Sequence, residues 1–113
     1  MKESDLLKKI QVAASKVGSR LFRNNCGALK NDRGQWVKYG LANPGGSDLI
    51  GWTPVKITQE MVGGTVAVFT AIEGKTGYLK TTPEQDQFIS AVLQAGGIAG
   101  VARTELDAME IIG

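Results

Sequence analysis

The stretch from Thr65 to Lys75, Thr-Val-Ala-Val-Phe-Thr-Ala-Ile-Glu-Gly-Lys, constrains this chain more than any other. Its first eight residues are mostly β-branched, aromatic or small, which suits a strand buried on both faces. Glu73 and Lys75 then follow, and residues two apart on a strand share a face. A carboxylate and an ammonium therefore stand side by side where a buried strand ends. Burying either one alone is strongly unfavourable. Such a conflict between local pattern and chemistry often marks a site.

A length of 113 residues predicts one domain spanning 1–113. Such a chain buries about two-thirds of its unfolded surface, enough for a core without staples. Cys26 is the single cysteine, so no internal disulfide forms, which fits a reducing cytosol. The N-terminus runs directly into a charged, amphipathic pattern rather than a signal peptide, and no apolar run approaches the roughly 20 residues of a membrane span. The chain has no histidine. That excludes Ser-His and Cys-His catalysis, and with one cysteine it disfavours the usual zinc sites. A bound metal would need oxygen ligands, which points to magnesium, manganese or calcium.

Charge is unevenly spread. Residues 1–40 carry nine Lys and Arg against three acids, a net +6; residues 41–113 carry four against eight, a net −4. A polyanion would meet the basic half first.

Leu6, Leu7, Ile10, Ala13, Ala14, Val17 and Leu21 recur at helical spacing, so a helix is predicted from Ser4 to about Arg20, with Ser4 or Asp5 at its start and Gly18 at its end. Arg20-Leu-Phe-Arg-Asn-Asn-Cys-Gly27 reads as a turn in which Arg20, Arg23, Asn24 and Asn25 offer donors to phosphate or backbone. Ala28–Lys30 and Gln35–Tyr39 read as short strands about the turn Asn31-Asp32-Arg33-Gly34. Asn43-Pro-Gly-Gly46 is a loop leading to Ser47 and to Asp48, which heads a short apolar strand. Val55–Thr58 continue an alternating pattern, and a meander of antiparallel strands could bring Asp48 and Glu73 to one sheet edge.

Thr82-Pro83-Glu84-Gln85 is a strong helix start, with an N-cap threonine, proline at the first helical position and a capping-box glutamine. Gly96-Gly97 end that helix, Ile98–Ala102 form a strand, and Thr104 opens a last helix. The predicted order α-β-β-β-α-β-α is that of an α/β fold, a mixed β-sheet flanked by helices.

Two phosphate-binding motifs fail. Gly74-Lys75-Thr76 lacks the P-loop's earlier glycine, since Phe69 stands there. Gly96-Gly97-Ile98-Ala99-Gly100 follows a helix and lacks the dinucleotide spacing. No nucleotide cofactor is expected.

What remains is Asp48 with Glu73-x-Lys75. Two carboxylates can share Mg²⁺, which polarises a phosphodiester and lowers the pKa of bound water. A neighbouring lysine can activate that water or stabilise the developing charge. The bland alternative is a salt-bridged Glu73–Lys75 pair at a strand end.

This set resembles the PD-(D/E)xK nuclease superfamily and, more narrowly, the VRR-NUC domain, found alone in phages and fused within a Fanconi-associated repair nuclease. The similar stretches are Arg23-Asn-Asn-x-Gly27, Gly46-Ser-Asp-Leu-Ile-Gly51, Glu73-x-Lys75 followed by Gly77, and Thr82-Pro-Glu-Gln85-x-x-Phe88 before Gly96-Gly97. They cover about residues 20–102. The resemblance implies a restriction-endonuclease-like core, with Asp48 and Glu73 as ligands of Mg²⁺ (Mn²⁺ as a substitute), the Gly74 carbonyl completing the shell and Lys75 as the catalytic lysine. It implies that Gln85 faces the site, beside its capping role, and that Glu3 stands where related resolvases carry a first-helix glutamate near the metal. Arg20, Arg23, Asn24, Asn25 and Ser47 would contact DNA.

Stand-alone members resemble Holliday-junction resolvases and pair into homodimers, which supplies the two symmetric nicks a four-way junction needs. The expectation is thus a phage- or prophage-encoded endonuclease that acts on branched DNA in the cytoplasm of a bacterial host, without a membrane partner. A nuclease for flaps or branched ends, and a DNA-binding accessory module that does not cut, are the alternatives. Trp36, Tyr39, Trp52 and Tyr78 are candidates for an interface or for DNA stacking, or for the core.

Overall fold

The structure, a computed structural model, describes residues 2–113. These form a mixed α/β chain with three helices and small antiparallel and parallel sheets. The chain divides into two compact units, one ending at Thr53 and the other spanning Pro54–Gly113. No helix among the described residues is long and apolar enough to cross a membrane.

The first unit opens with α1 (Glu3–Lys16). Lys2 precedes it without a side-chain cap, so neither Ser4 nor Asp5 serves as N-cap. Leu7 is buried on its inner face, and Gln11 Nε2 donates to the Leu21 carbonyl at 3.0 Å, tying the helix to the next element. Leu6 and Ile10, expected on the inward face, are exposed. That element, β1 (Arg20–Arg23), is a strand where the sequence predicts a turn. It pairs antiparallel with β4 (Leu49–Trp52), Arg20 opposite Trp52 and Arg23 opposite Leu49. The reason is a distant partner: β4 supplies the hydrogen bonds that four residues with two arginines do not advertise. Gly51 is required in this ladder, because a Cβ there would collide with the Arg20 carbonyl. Ser19, buried, hydrogen-bonds through Oγ to Thr53 Oγ1 at 2.9 Å.

Between β1 and β4 lies the expected hairpin, β2 (Gly27–Lys30) and β3 (Trp36–Tyr39). Its turn is built by Asn31, whose Oδ1 accepts from the backbone N–H groups of Arg33 (3.0 Å) and Gln35 (2.9 Å). At the open end, Asn43 Nδ2 donates to the carbonyls of Gly27 (2.7 Å) and Tyr39 (2.8 Å).

In the second unit Val55–Thr58 form no strand, and a short 3₁₀ turn follows at Gln59–Met61. The apolar run then becomes a strand only as β5 (Thr70–Gly74). Val66 and Val68 are exposed, so the run is not buried on both faces. β5 pairs in parallel with β6 (Ile98–Ala102), joined by α2 (Pro83–Gln94). A parallel pair needs such a crossover. Helix α2 has the predicted start: Gln85 N–H donates to Thr82 Oγ1 at 3.2 Å, and Thr82 N–H donates to Gln85 Oε1 at 2.9 Å. Gly96, at φ +95°, ends it in a conformation that favours glycine. Helix α3 (Glu105–Ile112) carries its own capping box between Thr104 and Asp107.

Both α2 and α3 pack on β6. Val92 of α2 is 1% exposed, and Ala99 and Ala102 of β6 are buried. The strands thus make three two-stranded sheets, β1–β4, β2–β3 and β5–β6, rather than one mixed sheet. Val92→Ala removes two buried methyl groups and should lower unfolding free energy by about 2 kcal/mol. Thr82→Ala, which removes only a cap, should cost about 1 kcal/mol. Urea denaturation followed by circular dichroism measures both, and equal losses would contradict this ranking.

Candidate active site

Each unit carries part of the predicted residue set. In the second, β5 ends at Glu73-Gly74, opposite Val101 and Ala102 of β6. Lys75 N–H donates to the Ala102 carbonyl at 3.1 Å, so the backbone of the Glu-Gly-Lys triplet is held to β6 through its last residue.

Glu73 is half-buried and lines a cavity of about 290 Å³. Its other walls come from β5 (Ala71, Ile72) and from one side of α2 (Glu84, Gln85, Phe88, Ile89). The Thr82 cap fixes the first turn of α2 and therefore sets where Glu84 and Gln85 stand relative to Glu73. Gln85 uses its Oε1 in the cap, which leaves its NH₂ as the donor end toward a bound group. The cavity combines two carboxylates and an amide over an apolar floor.

Lys75 lines a different cavity, of about 770 Å³, together with Gly74, Thr76, Ala102, Arg103, Thr104, Glu105 and Leu106. The strand period stops at Gly74, so the spacing of two does not hold Glu73 and Lys75 in one cavity. Among the described residues no ion pair joins them, so the salt-bridged strand end is not what forms.

In the first unit, Asp48 is exposed and directly precedes β4. Its carbonyl accepts from Asn24 N–H at 2.8 Å, extending the β1–β4 pairing by one step. The Asn24 side chain then clamps the loop across the ribbon's end. Its Oδ1 accepts from Leu41 N–H (2.8 Å), and its Nδ2 donates to the carbonyls of Leu41 (2.9 Å) and Ser47 (3.1 Å). Arg23, Asn24, Ser47 and Asp48 are thereby gathered at one end of the ribbon. Asn25 Oδ1 accepts from Arg23 Nη2 at 3.4 Å. Arg20 lies at the other end, its guanidinium carbon 5.7 Å from the Phe22 ring centroid and 5.9 Å from that of Trp52. Glu3 stands in the first turn of α1, exposed, beside Asp5.

Among the described residues no three His, Cys, Asp or Glu side chains form a group able to hold a metal ion. Two residues were not singled out from sequence. Glu84 lines the Glu73 cavity, and Arg103 lines the Lys75 cavity. Glu84 had a ready explanation as a first-turn acid at a helix N-terminus, which masked it. Its one signal is adjacency to Gln85. Arg103 had none, since its place depends on the β5–β6 pairing.

The hydrogen bonds of Asn24 give it a structural task. Asn24→Ala should lower unfolding free energy by about 2 kcal/mol, from several bonds worth roughly 1 kcal/mol each. Thermal and urea unfolding test this, and an unchanged transition would remove the clamp. Comparisons with protein-family models, with curated proteins and with solved structures find no match to this chain.

Proposed function

We propose that the chain is a metal-dependent, structure-specific DNA endonuclease, built on a restriction-endonuclease-like core and acting as a homodimer on four-way junctions in the bacterial cytoplasm. The observation that supports this reading is the end of β5. Glu73 meets Glu84 and Gln85 in one half-enclosed cavity there, while Lys75 follows two residues on. Two carboxylates lining one cleft offer oxygen ligands of the kind a divalent cation takes.

Within the second unit the donors are of the kind a hard cation takes: the carboxylates of Glu73 and Glu84, which line one cavity, are oxygen ligands. Bound Mg²⁺ or Mn²⁺ would polarise the phosphodiester and acidify a water. The remaining work falls to the chain. Lys75 supplies a positive charge for the developing pentacoordinate phosphate, and the Gln85 NH₂ can orient the attacking water. Arg20 and Arg23, with Asn25, present donors to phosphate oxygens.

A DNA-binding module that does not cut is the second reading. It is favoured by the separate cavities lined by Glu73 and Lys75.

Cleavage of a labelled four-way junction separates these readings, with linear duplex and flap alongside, in Mg²⁺ and in EDTA. Paired nicks that vanish in EDTA are expected, with Lys75→Ala and Asp48→Asn each lowering the rate by at least about a hundredfold. Cutting of the flap alone would move the activity to end processing. Junction binding without cutting in Mg²⁺ or Mn²⁺ would favour the binding module.

A further inference from the structure

The β2–β3 hairpin projects residues that the candidate site does not use. Register pairs Lys30 with Trp36 and Ala28 with Lys38, so Lys30, Trp36 and Lys38 share one face. Trp36 is 68% exposed, and both lysines are exposed. The Lys30 ammonium lies 5.3 Å from the Trp36 ring centroid. The only acid from Gly27 to Tyr39 is Asp32, in the turn, beside Arg33.

The face is also preorganised. Asn31 fixes the tip through two backbone N–H groups, and its Nδ2 donates to Gln35 Oε1 at 3.2 Å. Asn43 fixes the open end. Little ordering cost therefore remains for a ligand that meets this face.

We propose that this face binds an unpaired nucleic-acid strand, with a base stacked on Trp36 and the adjoining phosphates on Lys30 and Lys38. The inference rests on the preceding nucleic-acid reading for its polymer, but not on cleavage. Charge selects a polyanion, and the indole selects one that offers flat apolar faces between its charges. A duplex hides those faces within its stack, whereas a single strand, or the unpaired arm of a branch, exposes them.

The test uses the full chain in EDTA, so that cutting does not interfere, with oligothymidylate and a blunt duplex as probes. Trp36 and Trp52 are the only tryptophans, so a Trp52→Phe variant makes Trp36 the sole indole reporter. Oligothymidylate should quench its emission. By fluorescence anisotropy, Trp36→Ala should weaken strand binding on the order of tenfold while Trp36→Phe keeps most of it. Lys30→Ala and Lys38→Ala should each reduce the slope of log K against log salt by about 0.7.

Unquenched emission, with Trp36→Ala within about twofold of the parent, would overturn the proposal. So would quenching by the duplex alone. Loss of self-association in Trp36→Ala at unchanged strand affinity would also overturn it, and would make this face a contact between copies. Junction cutting in Mg²⁺ is scored separately. Cutting without quenching removes the hairpin role and leaves the nuclease, whereas quenching without cutting does the reverse.

Discussion

The second unit depends on how closely two helices can approach one strand. β6 reads Ile-Ala-Gly-Val-Ala, and its small residues let both α2 and α3 pack on it. A Cβ on Gly97, just before the strand, would lie 2.7 Å from Val92 Cγ1 and 2.9 Å from the Phe69 carbonyl oxygen. A Cβ on Gly100 would lie 2.8 Å from Ile111 Cδ1 of α3. Close packing of this kind maximises dispersion contacts in a unit with little buried volume. It also fixes the site, because α2 carries Glu84 and Gln85 while β6 carries the carbonyl that holds Lys75.

The first unit solves a different problem. Its strands are four residues long, and two-stranded ribbons of that length are marginal by themselves. Three asparagines compensate by hydrogen-bonding backbone groups that the ladders leave open. Asn31 closes the hairpin tip, Asn43 its base, and Asn24 the loop between β3 and β4. Such local side-chain bonds replace part of what a larger hydrophobic core would supply. They also hold the backbone of Arg23, Ser47 and Asp48 at one end of the β1–β4 ribbon.

The two cavities at the end of β5 sharpen the chemistry available there. One gathers acids beside an amide, and the other gathers Lys75 and Arg103. Under the proposed nuclease reading, the acids would hold a cation and the basic groups would meet phosphate oxygens.

Elements with local signals were legible in the sequence. Thr82, Pro83 and Gln85 announce α2, Gly96 stops it, Asn31 to Gly34 announce the hairpin turn, and Thr104 opens α3. Each signal acts within a few residues, so sequence carries it whole. Of the elements that need a distant partner, Ile98–Ala102 and the strand after Asp48 were legible as apolar runs, but two others were not. Arg20–Arg23 is a strand because β4 pairs with it, and the run from Thr65 becomes one only at Thr70, where Ile98 faces it. The same division governs the site. Residue chemistry and order single out Asp48, Glu73 and Lys75 as candidates, and the family resemblance adds Gln85. That Glu73 shares its cavity with Glu84 and Gln85, while Lys75 lines another with Arg103, was decided by tertiary structure. Sequence determines which groups a chain offers, whereas long-range hydrogen bonding and packing determine which of them face the same space.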